Sequence, residues 1–217
     1  MNTELTGHLK DLKMTLYYVL DPMCSWCWGF RPTWQKIQAG LADDISIKYL
    51  LGGLAPDSDK AMPESMQSDI AGYWRKIQQH IPSTKFNFDF WEKCQPRRST
   101  YPACRAIIAA RKQNTDLEKA MIEAVQTAYY LDAKNPSNDD TLVAIAESLG
   151  LDATLFLSDL NATETQQQLE QEISFGRKIG AQGFPSMILE QNGKYQYIPL
   201  DYNNPKPALA FIQQARL

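Results

Sequence analysis

The chain has 217 residues, 44% hydrophobic and 22% charged, enough for one large domain or a core domain carrying an insertion. Its net charge is −3 with no Lys/Arg-rich block, so a nucleic-acid partner is not indicated. No run approaches the roughly 20 apolar residues of a membrane-spanning helix, and four cysteines do not make a disulfide scaffold.

The first ten residues, Met1 to Lys10, are polar and hold no apolar leader core, so a cytosolic protein without a secretory signal or membrane anchor is expected. Met14 to Leu20 is aromatic and aliphatic and reads as a buried central strand. Asp21-Pro22-Met23-Cys24-Ser25-Trp26-Cys27-Trp28-Gly29-Phe30 follows, and a helix runs from there to about Ala39, closed by Gly40. Ile45 to Leu51 is a second strand, punctuated by Gly52-Gly53.

The middle of the chain is helical. Met62, Met66, Ile70, Tyr73, Trp74, Ile77 and Ile81 form a stripe at spacings of three and four. Leu117, Met121, Ala124, Val125 and Ala128 form another, and Leu142, Ile145, Ala146 and Leu149 a third, closed by Gly150. Thr163-x-x-Gln166 has the pattern of a capping box before Leu169 and Ile173. Strand signals return at Pro185 to Leu189, and Asn192-Gly193 is the favoured two-residue hairpin turn before Lys194 to Ile198. Asn204-Pro205 opens a last helix carrying Leu209 and Ile212.

The chemistry centres on the C-x-x-C pair. Cys24 falls where a helix begins, and unpaired first-turn N–H groups with the helix dipole stabilise a thiolate, the attacking form of the group. Cys27, one turn further, is placed to resolve a mixed disulfide on Cys24. A structural zinc site competes poorly. It wants two spaced ligand pairs, whereas Cys94 and Cys104 are ten apart and His8 and His80 have no ligand spacing to them. Two unrelated buried cysteines are the bland alternative. Against it stand Pro32, inside a helix interior where proline costs about 3 kcal/mol, and Gly183-Phe184-Pro185-Ser186 at the mouth of a strand.

Together these features resemble the thioredoxin fold: C-x-x-C after the first strand, a proline five residues past the second cysteine, and a late G-x-P-S before a hairpin. The helical block between second and third strands is similar to the DsbA-like branch, and the motif D-P-M-C-S-W-C-W-G-F resembles its FrnE-type members, predicted protein-disulfide isomerases. The resemblance implies an α/β fold with a four-stranded mixed sheet. It divides the chain into a thioredoxin-fold domain at 14–58 and 179–217 and a helical insertion domain at 59–178. It also implies a cis Pro185 packed against the cysteine pair, with the Phe184 backbone free to pair with an extended substrate. Strongly oxidising periplasmic members carry a histidine between the cysteines. Here Ser25 and Trp26 stand there, which suggests a milder oxidant, an isomerase or a reductase.

The expectation is therefore a thiol–disulfide oxidoreductase: Cys24 attacks, Cys27 resolves, and Trp26, Phe184 and Pro185 bind substrate. Asp21 and Ser25 stand behind the pair, Asp21 alternatively as simple turn chemistry before Pro22. No organic cofactor or metal is required, since the dithiol is the redox group. The partner would be a protein or peptide disulfide, or a small one such as glutathione. The alternatives are a glutathione-dependent transferase of the kappa or hydroxychromene-carboxylate isomerase type, for which Cys27 would be idle, and a non-catalytic binding module. Trp28 and Phe30 read as either an apolar rim or helix core. Arg31 and Arg97-Arg98 read as solvated charges, and Cys104 as a buried inert thiol. A Cys94–Cys104 disulfide is a lesser possibility.

Overall fold

A computed structural model of the protein describes residues 14–216. The reading of the polar N-terminus, and His8 with it, lies outside these residues. Four strands form one mixed sheet in the order β2-β1-β3-β4: β1 Met14–Leu20, β2 Ile45–Leu51, β3 Ser186–Gln191 and β4 Lys194–Ile198. The central β1 pairs parallel with β2 and antiparallel with β3, and β3 pairs antiparallel with β4. A strand flanked on both sides by partners and on both faces by packing should be apolar throughout, which is what the β1 run shows. Leu16, Tyr18 and Leu20 face the main core, while Tyr17 and Val19 pack on the other face with Leu50, Ile179 and Ile188.

Helix α1, Ser25–Gly40, joins β1 to β2. Seven α-helices and one short 3-10 helix, Thr115–Leu117, separate β2 from β3: α2 Glu64–His80, α3 Phe90–Lys93, α4 Tyr101–Gln113, α5 Glu118–Tyr130, α6 Asp139–Ser148, α7 Ala153–Leu160 and α8 Thr163–Lys178. Helix α9, Lys206–Ala215, closes the chain. Between β3 and β4 the hairpin turn forms as expected, with Asn192 at φ 54° and Gly193 at φ 75°. The buried side chains of the sheet and of the helices between β2 and β3 run together in one cluster. The fully buried Trp74 of α2 anchors this cluster, its ring 4.9 Å from both Phe86 and Trp91.

Several local expectations need correction. Gly40 is the last residue of α1 and has no left-handed backbone; a Cβ there would sit 2.9 Å from Leu209 Cδ1, so it serves close packing of α9. The capping box does not form. Ala162 is the N-cap of α8 without a side-chain bond, and Thr165 and Gln166 are drawn instead to Lys112 and Arg105 of α4. Trp28 and Phe30 are core: Trp28 stacks on Tyr130 and donates to the Lys85 carbonyl at 2.9 Å. Arg31 is not a free charge, since it pairs with Glu123 at 3.4 Å and lies over the Trp28 ring. The stripe on α2 is divided: Trp74 and Ile77 are buried, whereas Met66 and Tyr73 are exposed.

Candidate functional site

Asp21 and Pro22 end β1, and the backbone turns so that Cys24 becomes the N-cap of α1. Its amide donates to the Asp21 carbonyl at 3.0 Å, and its own carbonyl accepts the Trp28 amide at 3.1 Å. The helix dipole places roughly half a positive charge at this end. The Cys24 thiol is held below the ordinary thiol range, first because the Cys27 thiol donates to its sulfur, then through the backbone N–H groups of Cys27 and Trp26. Burial and the charge of Asp21 oppose this. Cys27 behaves oppositely: burial, then its bond to Cys24, pushes its thiol well up. The two sulfurs thus divide into a thiol held low and a proton-holding partner. Their exposures agree, with Cys24 at 8% and Cys27 at 1%. All four cysteines are free thiols.

Asp21 is fully buried and accepts three short bonds: from the Met23 amide at 2.8 Å, the Leu54 amide at 2.7 Å and the Thr100 hydroxyl at 2.6 Å. The Met23 bond is local to the turn, and the other two reach across the fold to Leu54 and Thr100. Cys104 is a buried free thiol, as read from the sequence. Burial, and then the Asp21 carboxylate 3.5 Å from its sulfur, pushes its thiol well up. Cys94 lies elsewhere, donating to the Ala133 carbonyl at 3.1 Å. Ser25 accepts the Trp74 indole N–H at 2.9 Å, fixing the first turn of α1 to α2.

The Phe184–Pro185 bond is cis, as expected, and the Phe184 carbonyl lies 3.5 Å from Cys24 Sγ, where it accepts from the thiol form. The Phe184 ring fills the space above Gly52: a Cβ there would sit 1.9 Å from its Cε1. Gly52→Ala is therefore expected to expel the ring, lowering stability by about 1–3 kcal/mol and slowing disulfide exchange. A thermal melt with a parallel exchange assay checks this, and an unchanged pair of values would mean the ring has room to move.

Cys24, Ser25, Trp26, Gly52 and Phe184 open onto one cleft of about 550 Å³, within the range of ligand pockets. Trp26 forms its rim in edge contact with Tyr202 and His80. Pro185 is buried and does not line the cleft. Met62, Ile70 and Tyr73, read from the sequence as part of a helical stripe, line it. Arg97 and Arg98, read as solvated, line it too, as does Arg177 at the end of α8. Sequence patterning could not separate a core stripe from a cleft wall, since both are apolar at helical spacing. Among the described residues no group of three or more His, Cys, Asp or Glu side chains gathers as a metal site. No helix there is long and apolar enough to cross a membrane.

A family model described as thioredoxin matches residues 17–198. Among curated proteins, the ClpXP adapter protein SpxH of Halalkalibacterium halodurans is 24% identical over 183 residues, covering 82% of this chain and 59% of that protein. SpxH of Bacillus subtilis is 22% identical over 181 residues, covering 83% of this chain and likewise 59% of its own length. The chain thus spans about 59% of the length of the curated relatives it matches first. Among solved structures, a candidate protein disulfide isomerase from Nitrosomonas europaea superposes with a TM-score of 0.81 at 23% identity, covering 93% of this chain and 97% of that one. The cytosolic disulfide reductase DsbM from Pseudomonas aeruginosa, also solved with GSH, superposes with a TM-score of 0.74 at 23% identity, covering 93% and 98%. At this identity the structures establish the shared fold: a thioredoxin fold of the DsbA-like kind, with helices set between β2 and β3.

Proposed function

The chain belongs to the thioredoxin family, and from that premise we propose that it is a thiol–disulfide oxidoreductase using Cys24 and Cys27. The observation that carries the reading is the division between the two sulfurs: a low thiol at a helix N-terminus facing a cleft, beside a high, buried one. The Cys24 thiolate attacks a substrate disulfide, forming a mixed disulfide and expelling one substrate thiolate. Cys27 gives up its proton and attacks Cys24 Sγ, closing the protein disulfide and releasing the second substrate thiol. Two electrons pass from dithiol to substrate, and a small thiol such as reduced glutathione regenerates the pair. Run in reverse, the same exchange oxidises substrate thiols. Trp26 and Phe184, beside Cys24, hold the substrate segment, and Pro185 supports Phe184. Protein or peptide disulfides are the proposed substrates, the dithiol is the proposed redox group, and the cytosol is the proposed location.

Brief alkylation by iodoacetamide tests the division. Cys24 is expected to label first, with a rate inflection below the roughly pH 8.5 of a free thiol, while Cys27 and Cys104 stay unlabelled. Equal labelling of Cys24 and Cys27 would remove the assignment.

The curated relatives favour a second reading, in which the cleft binds a partner protein as an adapter does. Binding would then survive loss of both thiols, so partner capture by the Cys24→Ser, Cys27→Ser double variant separates the two.

A further inference from the structure

The lining of the cleft is uneven in a way the exchange chemistry does not require. Acidic residues outnumber basic ones 25 to 22 in the chain, yet among the described residues the cleft is lined by Arg97, Arg98 and Arg177 and by no carboxylate. The three come from two separate elements, the segment before α4 and the last turn of α8. Arg97 is tied to the Ser137 carbonyl. Arg98 and Arg177 are exposed and enter no salt bridge among the described residues. Glu170 borders a notch on the other side of Arg177 but is not part of the cleft, and it accepts the Gln166 amide at 2.8 Å. Unpaired guanidinium groups around a low-dielectric concavity attract carboxylates and repel cations.

An apolar part of the wall comes from α2 and the residue before its cap. Met62 is buried, Ile70 is half-buried, and Tyr73 is 50% exposed although it faces the cleft. A large exposed aromatic lining the same cleft as Cys24 is an unfilled contact for an apolar side chain.

We infer that, granted the oxidoreductase reading above, the cleft selects peptide disulfides whose cysteine lies between an apolar residue and an acidic one. Met62, Ile70 and Tyr73 take the apolar neighbour, and Arg98 and Arg177 take the carboxylate. A peptide segment is the occupant because oxidised glutathione has carboxylates but no apolar side chain for the α2 wall. The exchange itself is the one written above, with the pre-reduced Cys24–Cys27 dithiol as the reductant.

The test is single-turnover exchange between pre-reduced protein and disulfide-linked peptides of one length. Each carries leucine before the cysteine and Glu, Gln or Lys after it. Wild type is expected to prefer Glu over Lys by about ten-fold at low salt, two arginines each contributing a few-fold at an exposed site, with the preference shrinking at high salt. In the Arg98→Gln, Arg177→Gln double variant the Glu-to-Lys ratio is expected to fall to about two. An equal ratio in wild type and double variant would overturn the inference. So would faster exchange with oxidised glutathione than with the Glu peptide, which would assign the arginines to a small-molecule site. Wild type is also given 2-hydroxyethyl disulfide, which carries neither charge nor side chain. Exchange there with a flat peptide ratio sinks the selectivity alone; no exchange with any disulfide sinks the oxidoreductase reading beneath it.

Discussion

Cys27→Ser is expected to leave the protein able to attack substrate disulfides and unable to release them. Serine keeps the shape of the buried side chain, so folding should persist, and Cys24 keeps its place at the N-terminus of α1. What is lost is the nucleophile that resolves the mixed disulfide. One covalent adduct per chain should accumulate on a non-reducing gel and vanish with dithiothreitol. Turnover should fall on the order of a hundredfold or more, as when a required group is deleted. Cys24→Ser should form no adduct, because none of the three remaining thiols can substitute: Cys27 and Cys104 are buried with their thiols pushed well up, and burial also raises Cys94. Normal turnover by Cys27→Ser would instead favour the glutathione-transferase reading, in which the second cysteine is idle.

The second large effect concerns Asp21→Asn. The carboxylate ties the cysteine turn to the loop after β2 and to the start of α4 through Met23, Leu54 and Thr100. An asparagine amide presents one NH₂ where the acid presents an acceptor, leaving a buried donor facing a donor. That should cost about 1–3 kcal/mol. The deficit should depend on pH. Burial raises the Asp21 carboxyl above its ordinary 3.8, against the hydrogen bonds that lower it. A raised acid contributes stability that is fully present below the unfolded value and is lost as pH rises through the folded one. The gap between wild type and variant should therefore be widest in acid and narrow as pH rises, then level off.

Asp21→Asn should also act on the thiol. The Asp21 charge works against the Cys24 thiolate, so its removal should move the alkylation inflection of Cys24 to lower pH. Denaturant melts across pH, read beside the alkylation profile, check both. An inflection that moves upward would mean that Asp21 supports the thiolate. No change in either would leave it as turn chemistry alone.

The parts of the fold that were legible in the sequence are those set by local chemistry. The uninterrupted apolar run of β1, the cysteine pair at its end and the Asn192-Gly193 turn each dictate their own conformation, and each forms where expected. The misreadings are tertiary. Thr163 and Gln166 have the spacing of a cap, but Arg105 and Lys112, some 50 to 60 residues earlier, take the side chains of that turn. Helix α7 carries Leu155 and Leu157 on its exposed side, which blurs the period defined by the buried Phe156 and Leu160. At the site, Cys24, Cys27 and Phe184 were marked by motif. Thr100, Cys104 and the arginines of the cleft carry no local mark, because their significance comes from lying against Asp21 or the cleft. Gly52 read as punctuation, and only the Phe184 ring above it shows why no side chain fits.

The most direct test of the central claim is to equilibrate the reduced full chain with a peptide disulfide, quench in acid and map the cysteines by mass. The account predicts one disulfide per chain, located between Cys24 and Cys27, formed in step with release of two substrate thiols, with Cys94 and Cys104 still reduced. A chain that remains fully reduced while the substrate disulfide stays intact, or a disulfide that joins Cys94 to Cys104, would contradict it.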